Sequence, residues 1–148
     1  MSITNFKQID SVNGIPVSPS YVNINTPTIV DNEYTVSSTD IGDLIRINSN
    51  TTTTVILPDD DVVIPVGSTV SIAQWGTGQV NIVPDADVVI RQEPGATVTS
   101  TDILATRAQY ARVELVKVGS NEWLSDGYGI YVQSTAPANP QVGDLWFW

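Results

Sequence analysis

The side chains of this sequence that could do chemistry are carboxylates and hydroxyls, because histidine and cysteine are both absent. Without histidine the commonest general base is missing, and neither a Ser-His-Asp nor a Cys-His arrangement can be built. A pair of carboxylates could still act as in glycoside hydrolysis. The acids fall mainly in turns, however, and tuning a carboxylate pKa needs burial that polar turns seldom supply. The chain is therefore expected to be non-enzymatic, with no cofactor and no metal. Asp59-Asp60-Asp61 is the densest charge cluster. Three carboxylates at a turn could offer oxygens to calcium, but no EF-hand spacing accompanies them, and a solvated turn is the expected state. Gly76-Thr77-Gly78 lacks the helix and lysine of a phosphate loop and reads as a tight hairpin turn in which glycine supplies positive φ.

The aromatic residues are the other candidates. Trp75 and Trp123 sit at strand or hairpin ends, where packing is expected ahead of a stacking platform for a sugar ring. Trp146, Phe147 and Trp148 differ, since three bulky aromatics in a polar stretch have little local core to enter. Aromatics are enriched at interface hot spots, so this tip is expected to dock on another subunit. Pro137 and Pro140 beside it, and Phe6, Ile15 and Pro16 near the start, complete the set of candidate partner-binding residues.

Sixteen acidic residues against six basic ones give a formal net charge of −10 in 148 residues. A phosphate backbone would be repelled, so nucleic acid is not expected as a direct partner, whereas a basic protein surface would be attracted. No apolar run approaches the roughly 20 residues that span a bilayer, so no membrane association is expected. Met1-Ser2-Ile3-Thr4-Asn5 has neither the basic nor the apolar region of a signal peptide, which points to synthesis in a cytoplasm without export. A chain of this length can bury roughly 70% of its unfolded surface in one domain, which it must do without disulfides.

The elements that must position these residues read as strands. Thr, Val and Ile recur, while helix formers are nowhere concentrated at helical spacing. Strands are expected at 44–48, 53–57, 69–74, 79–83, 87–91, 109–118 and 122–124, with turn residues between them. Alternation is clear where Val70 and Ile72 interleave with Thr69 and Ser71, and where Ala111, Val113 and Leu115 interleave with Arg112 and Glu114. Only the stretch from Thr101 to Arg107 could hold a brief helical turn. The expected fold is all-β, a compact antiparallel β-sandwich or small β-barrel spanning 34–127. Extended arms are expected at 1–33, where Pro16, Pro19 and Pro27 stand among Asn, Ser and Thr, and at 128–148.

Several runs together resemble a β module of virion proteins of tailed bacteriophages, including tail fibres and capsid-associated proteins. They are Ile41-Gly42-Asp43-Leu44-Ile45, Thr54-Val55-Ile56-Leu57-Pro58, Pro65-Val66-Gly67-Ser68-Thr69-Val70 and Gln74-Trp75-Gly76-Thr77-Gly78-Gln79-Val80. Pro84, Gln109-Tyr110-Ala111-Arg112-Val113 and Val116-Lys117-Val118-Gly119-Ser120-Asn121-Glu122-Trp123 continue the order. The likeness covers Tyr34 to Gly127, and the stretch from Ser134 to Trp146 also resembles a short segment recurrent in phage structural proteins. The resemblance implies a virion component without catalytic residues. Its first form is a decoration or cement protein on the capsid exterior, homotrimeric, with arms that clip onto the major capsid protein or other virion proteins. Its second is a tail fibre, spike or neck component that contacts the host. A free carbohydrate-binding module is the third possibility.

Overall fold

The computed structural model describes residues 11–12, 15–16, 22–92, 95–126 and 130–132. Their fold is all-β, with one short 3-10 turn at Ser38–Asp40. A two-residue hairpin, β1 (Ser11–Val12) and β2 (Ile15–Pro16), pairs only with itself among the described residues. The body follows as β3 (Ile24–Asn25), β4 (Glu33–Thr35), β5 (Leu44–Ile47), β6 (Thr53–Leu57), β7 (Thr69–Gln74), β8 (Val80–Pro84), β9 (Val89–Gln92), β10 (Ala96–Val98), β11 (Ile103–Ala105), β12 (Arg112–Gly119), β13 (Glu122–Asp126) and β14 (Ile130–Val132). These strands form two packed sheets, ordered β10-β9-β13-β12-β7-β5-β3 and β14-β11-β8-β6-β4.

Period-two alternation decides which side chains enter the space between the sheets. β5 buries Ile45 and Ile47, β6 buries Val55 and Leu57, β7 buries Val70 and Ile72, β8 buries Val80 and Ile82, and β12 buries Val113 and Leu115. Trp123 from β13 joins this layer fully buried. The apolar sandwich core expected from the sequence is thus present.

The pairing is mixed, not antiparallel throughout as expected. β12 pairs antiparallel with both β7 and β13, but β3-β5-β7 and β4-β6-β8 are parallel ladders, and β9 runs parallel to β13. The reason is that the chain crosses to the other sheet after each of β3 to β8. Each of β5 to β8 therefore lies beside the strand two elements earlier, so that Ile24 lies beside Leu44 and Leu44 beside Ser71. Parallel strands need a long crossover, commonly a helix, and here a strand of the facing sheet serves. Residues 24–84 are in effect three turns of a flattened coil.

This winding corrects two local expectations. Gly76-Thr77-Gly78 is not a hairpin turn, because β7 and β8 belong to different sheets, and neither glycine has positive φ. Both are needed for close backbone approach: a Cβ on Gly76 would lie 2.0 Å from the Ser49 carbonyl oxygen, and one on Gly78 2.0 Å from that of Thr51. The Gly78 N–H donates to Ser49 O at 3.0 Å, so this corner stacks directly on the corner one turn earlier. The helical turn considered for Thr101 to Arg107 is instead β11, whose Leu104 is buried beside Ile82. Gly78→Ala is expected to lose about 2–3 kcal/mol through this overpacking, read as a lower calorimetric Tm without loss of β-sheet circular dichroism.

Candidate functional site

The outward face of the seven-stranded sheet carries the residues that the alternation leaves over. On β7, Val70, Ile72 and Gln74 are buried, so Ser71, Ala73 and the following Trp75 point the other way. Ala73 has Arg46 of β5 as its partner on one side and Arg112 of β12 on the other. Registered partners share a face, which puts the two arginines either side of Ala73, two strand spacings or roughly 10 Å apart. Ala73 itself is only 5% exposed.

Trp75 closes this row. The residue is 42% exposed, so the packing expected for it from the sequence does not describe it, whereas Trp123 is packed as expected. The guanidinium carbon of Arg46 lies 5.2 Å from the Trp75 ring centroid, and Arg46 Nε donates to Thr26 Oγ1 at 3.0 Å. Tyr110, 65% exposed, meets Trp75 edge to face, with centroids 5.2 Å apart and planes at 77°.

The backbone beneath is held from several sides. Trp75 N donates to Ile47 O at 2.8 Å, and Gln109 Nε2 donates to Trp75 O at 2.9 Å. Tyr110 sits at φ 70°, a left-handed conformation that costs a bulky residue, and its N–H donates to Gln74 O at 2.7 Å. Gln74 is buried, accepts from the Thr106 hydroxyl and donates to Gly76 O at 3.3 Å, while Val80 N donates to Thr106 Oγ1 at 3.0 Å. A satisfied buried amide of this kind makes the corner a rigid mount.

The acidic cluster has a different role. Asp59 accepts from the Asp61 N–H at 3.0 Å within its own turn. Asp60 pairs with Lys117, whose side chain is 5% exposed, and also accepts from the Ser120 hydroxyl and from Asn121 N at 3.2 Å. Asn121 Oδ1 returns the contact by accepting from Asp60 N at 2.8 Å. The Lys117 ammonium stands 5.8 Å from the Trp123 ring centroid. Asp60 therefore ties the 58–68 connection to the β12–β13 turn and supplies a counter-charge to a buried cation. This is more than the solvated turn expected, and among the described residues no three acidic side chains gather to hold a metal. An open hollow of about 300 Å³ lies beside the pair, lined in part by Val63 and Val66, both exposed.

Of the partner-binding residues proposed from the sequence, Phe6, Pro137, Pro140, Trp146, Phe147 and Trp148 lie outside the described residues. Ile15 and Pro16 form β2. Sequence reading singled out Trp75 but missed Arg46, Arg112 and Tyr110. The signal for the arginines was parity, since Ile45 and Ile47 inward force Arg46 outward and Val113 inward forces Arg112 outward. No helix among the described residues is long and apolar enough to cross a membrane. No protein-family model matches the chain, and no curated protein matches it.

Hydrogen bonds to its charged form, first from Lys117 and then from Ser120 and Asn121, bring the Asp60 pKa from 3.8 to about 2. Its contribution to stability is then whole above the unfolded value and is lost as pH falls through the folded one. The gap in urea midpoint between the native protein and Asp60→Asn is expected to narrow as pH is lowered from about 4 to about 2, and a gap constant across that window would contradict the pairing.

Proposed function

We propose that this chain is a non-enzymatic structural component of a tailed-bacteriophage particle. It is a decoration or cement protein that binds the outside of the head as a homotrimer, its terminal arms reaching neighbouring capsid proteins. The observation that carries this reading is where the residues of the family likeness fall. Ile45, Val55, Leu57, Val70, Val113 and Trp123 are core, and Gly76 and Gly78 are the positions where one corner of the coil stacks on another. Lys117 N and Gly67 N hold the 58–68 connection to β12 through Ser68 O and Lys117 O. A likeness written in framework residues is a likeness of the body itself, and a rigid body with partner-seeking arms suits assembly.

The second reading, a tail fibre, spike or neck component, is favoured by one specific feature, the exposed Trp75 and Tyr110. Immunogold labelling of intact particles separates the two. Label over the head is the expected result; label on the tail supports the second reading, and particles without label exclude both. Removing Trp146, Phe147 and Trp148 is expected to lower incorporation by roughly tenfold or more, as loss of interface aromatics does elsewhere. Unchanged incorporation would show that the tip is no anchor.

A further inference from the structure

The Trp75 corner combines features that the framework does not need. Two large rings stand exposed and perpendicular, and one is carried on a strained left-handed residue. Strain of this kind persists only where the surroundings hold it, and it gathers at binding and catalytic sites. Two of the chain's six basic residues flank the rings in a molecule of net charge −10. Among the described residues neither Arg46 nor Arg112 is ion-paired, whereas Arg91 on the same sheet is paired with Glu122 at 2.7 Å.

The surroundings narrow what could bind. β5, β7 and β12 are interior strands, paired on both sides, so no free backbone is offered to an extended peptide by strand addition. Recognition here must come from side chains alone. Exposed rings suit the apolar C–H face of a sugar, and arginine suits a carboxylate, which it can grip with two parallel hydrogen bonds. Glu114 is the next outward residue of β12, and Asp126 of β13 is its registered partner. Beside these acids, and on a chain of net charge −10, a dense polyanion is repelled, so the ligand that fits carries a single carboxylate per sugar residue.

We propose that Trp75, Tyr110, Arg46 and Arg112 form a binding site for a saccharide that bears a carboxylate, of the uronic or sialic acid type. The rings take the sugar face and the arginines its charge. This site belongs to the isolated body and does not rest on where the chain sits on a particle.

The test is calorimetric titration of the full chain with trigalacturonate and with sialyllactose. Neutral lactose, the methyl ester of trigalacturonate and a hexaglutamate peptide are run beside them. At least one acidic saccharide is expected to bind about tenfold or more tightly than its neutral counterpart, at a salt concentration held constant. Trp75→Ala and Arg112→Gln are each expected to weaken that binding about tenfold, while Arg91→Gln leaves it unchanged. Circular dichroism checks each fold, and if Trp75→Ala does not fold, Arg112→Gln decides alone. No binding of either acidic saccharide, equal binding of the neutral forms, binding unaltered by Arg112→Gln, or hexaglutamate bound as tightly would each overturn the proposal.

Discussion

One apolar layer shared by two sheets governs everything else in this molecule. The chain changes sheets after each strand from β3 to β8, so each side of the layer is built from residues far apart in sequence. Neither sheet can form alone, because the ladder β3-β5-β7 has its connections in the facing sheet. The strand-by-strand exchange also removes the need for helices as crossovers, since a facing strand spans the distance and contributes its own buried residues. The cost falls on the corners, where backbone must stack on backbone, and Gly76 and Gly78 meet it by having no side chain.

Three of the polar side chains that enter the buried layer, Asp40, Gln74 and Lys117, are held by partners from other segments. Asp40, 1% exposed, accepts from Asn25 Nδ2 at 2.8 Å, Tyr34 Oη at 2.9 Å, and Ser37 N and Oγ at 2.8 and 3.0 Å. It thereby joins β3, β4 and the 3-10 turn, the first turn of the coil. Burial, with the Asp40 hydrogen bond added, pushes the Tyr34 hydroxyl up to about 12, so it keeps its proton well past the range of a free phenol. Gln74 with Thr106 and Lys117 with Asp60 do the same for later turns. Each of these three groups links two segments that the apolar layer alone would leave free to slide.

Much of this was legible from residue order, and the misses have physical causes. All seven strands expected from alternation exist, and β6 and β7 carry the very bounds expected. Alternation reports which face a residue occupies, not which strand lies beside it, so the parallel ladders were invisible. Gly76-Thr77-Gly78 looked like a hairpin because glycine serves both positive φ and close approach, and only the fold distinguishes them. The 3-10 turn did have a signal, Ser37 followed three residues later by Asp40, a reciprocal cap of the kind that opens helices. Ile24–Asn25 and Glu33–Thr35 fall within or across the end of the expected arm at 1–33, yet both are strands, too short for periodicity to register. Trp75 was weighed by residue type when parity decided it: Gln74, held by Thr106, takes the inward position, and the larger ring is left outside.

That last exchange connects the framework to the surface. An inward tryptophan at position 75 would have filled the space where the buried amide of Gln74 meets Thr106, and the corner would have lost the hydrogen bonds that hold it. With glutamine inside, the ring stands over a sheet interior whose backbone groups are already paired, and so does Arg46 against it. Among the described residues the sheet edges β3, β10, β4 and β14 are different, since there backbone can still be offered to an extended segment. An all-β body thus separates two kinds of recognition by position alone. Its edges favour partners that bring a strand, and its covered interior strands favour partners that side chains can grip.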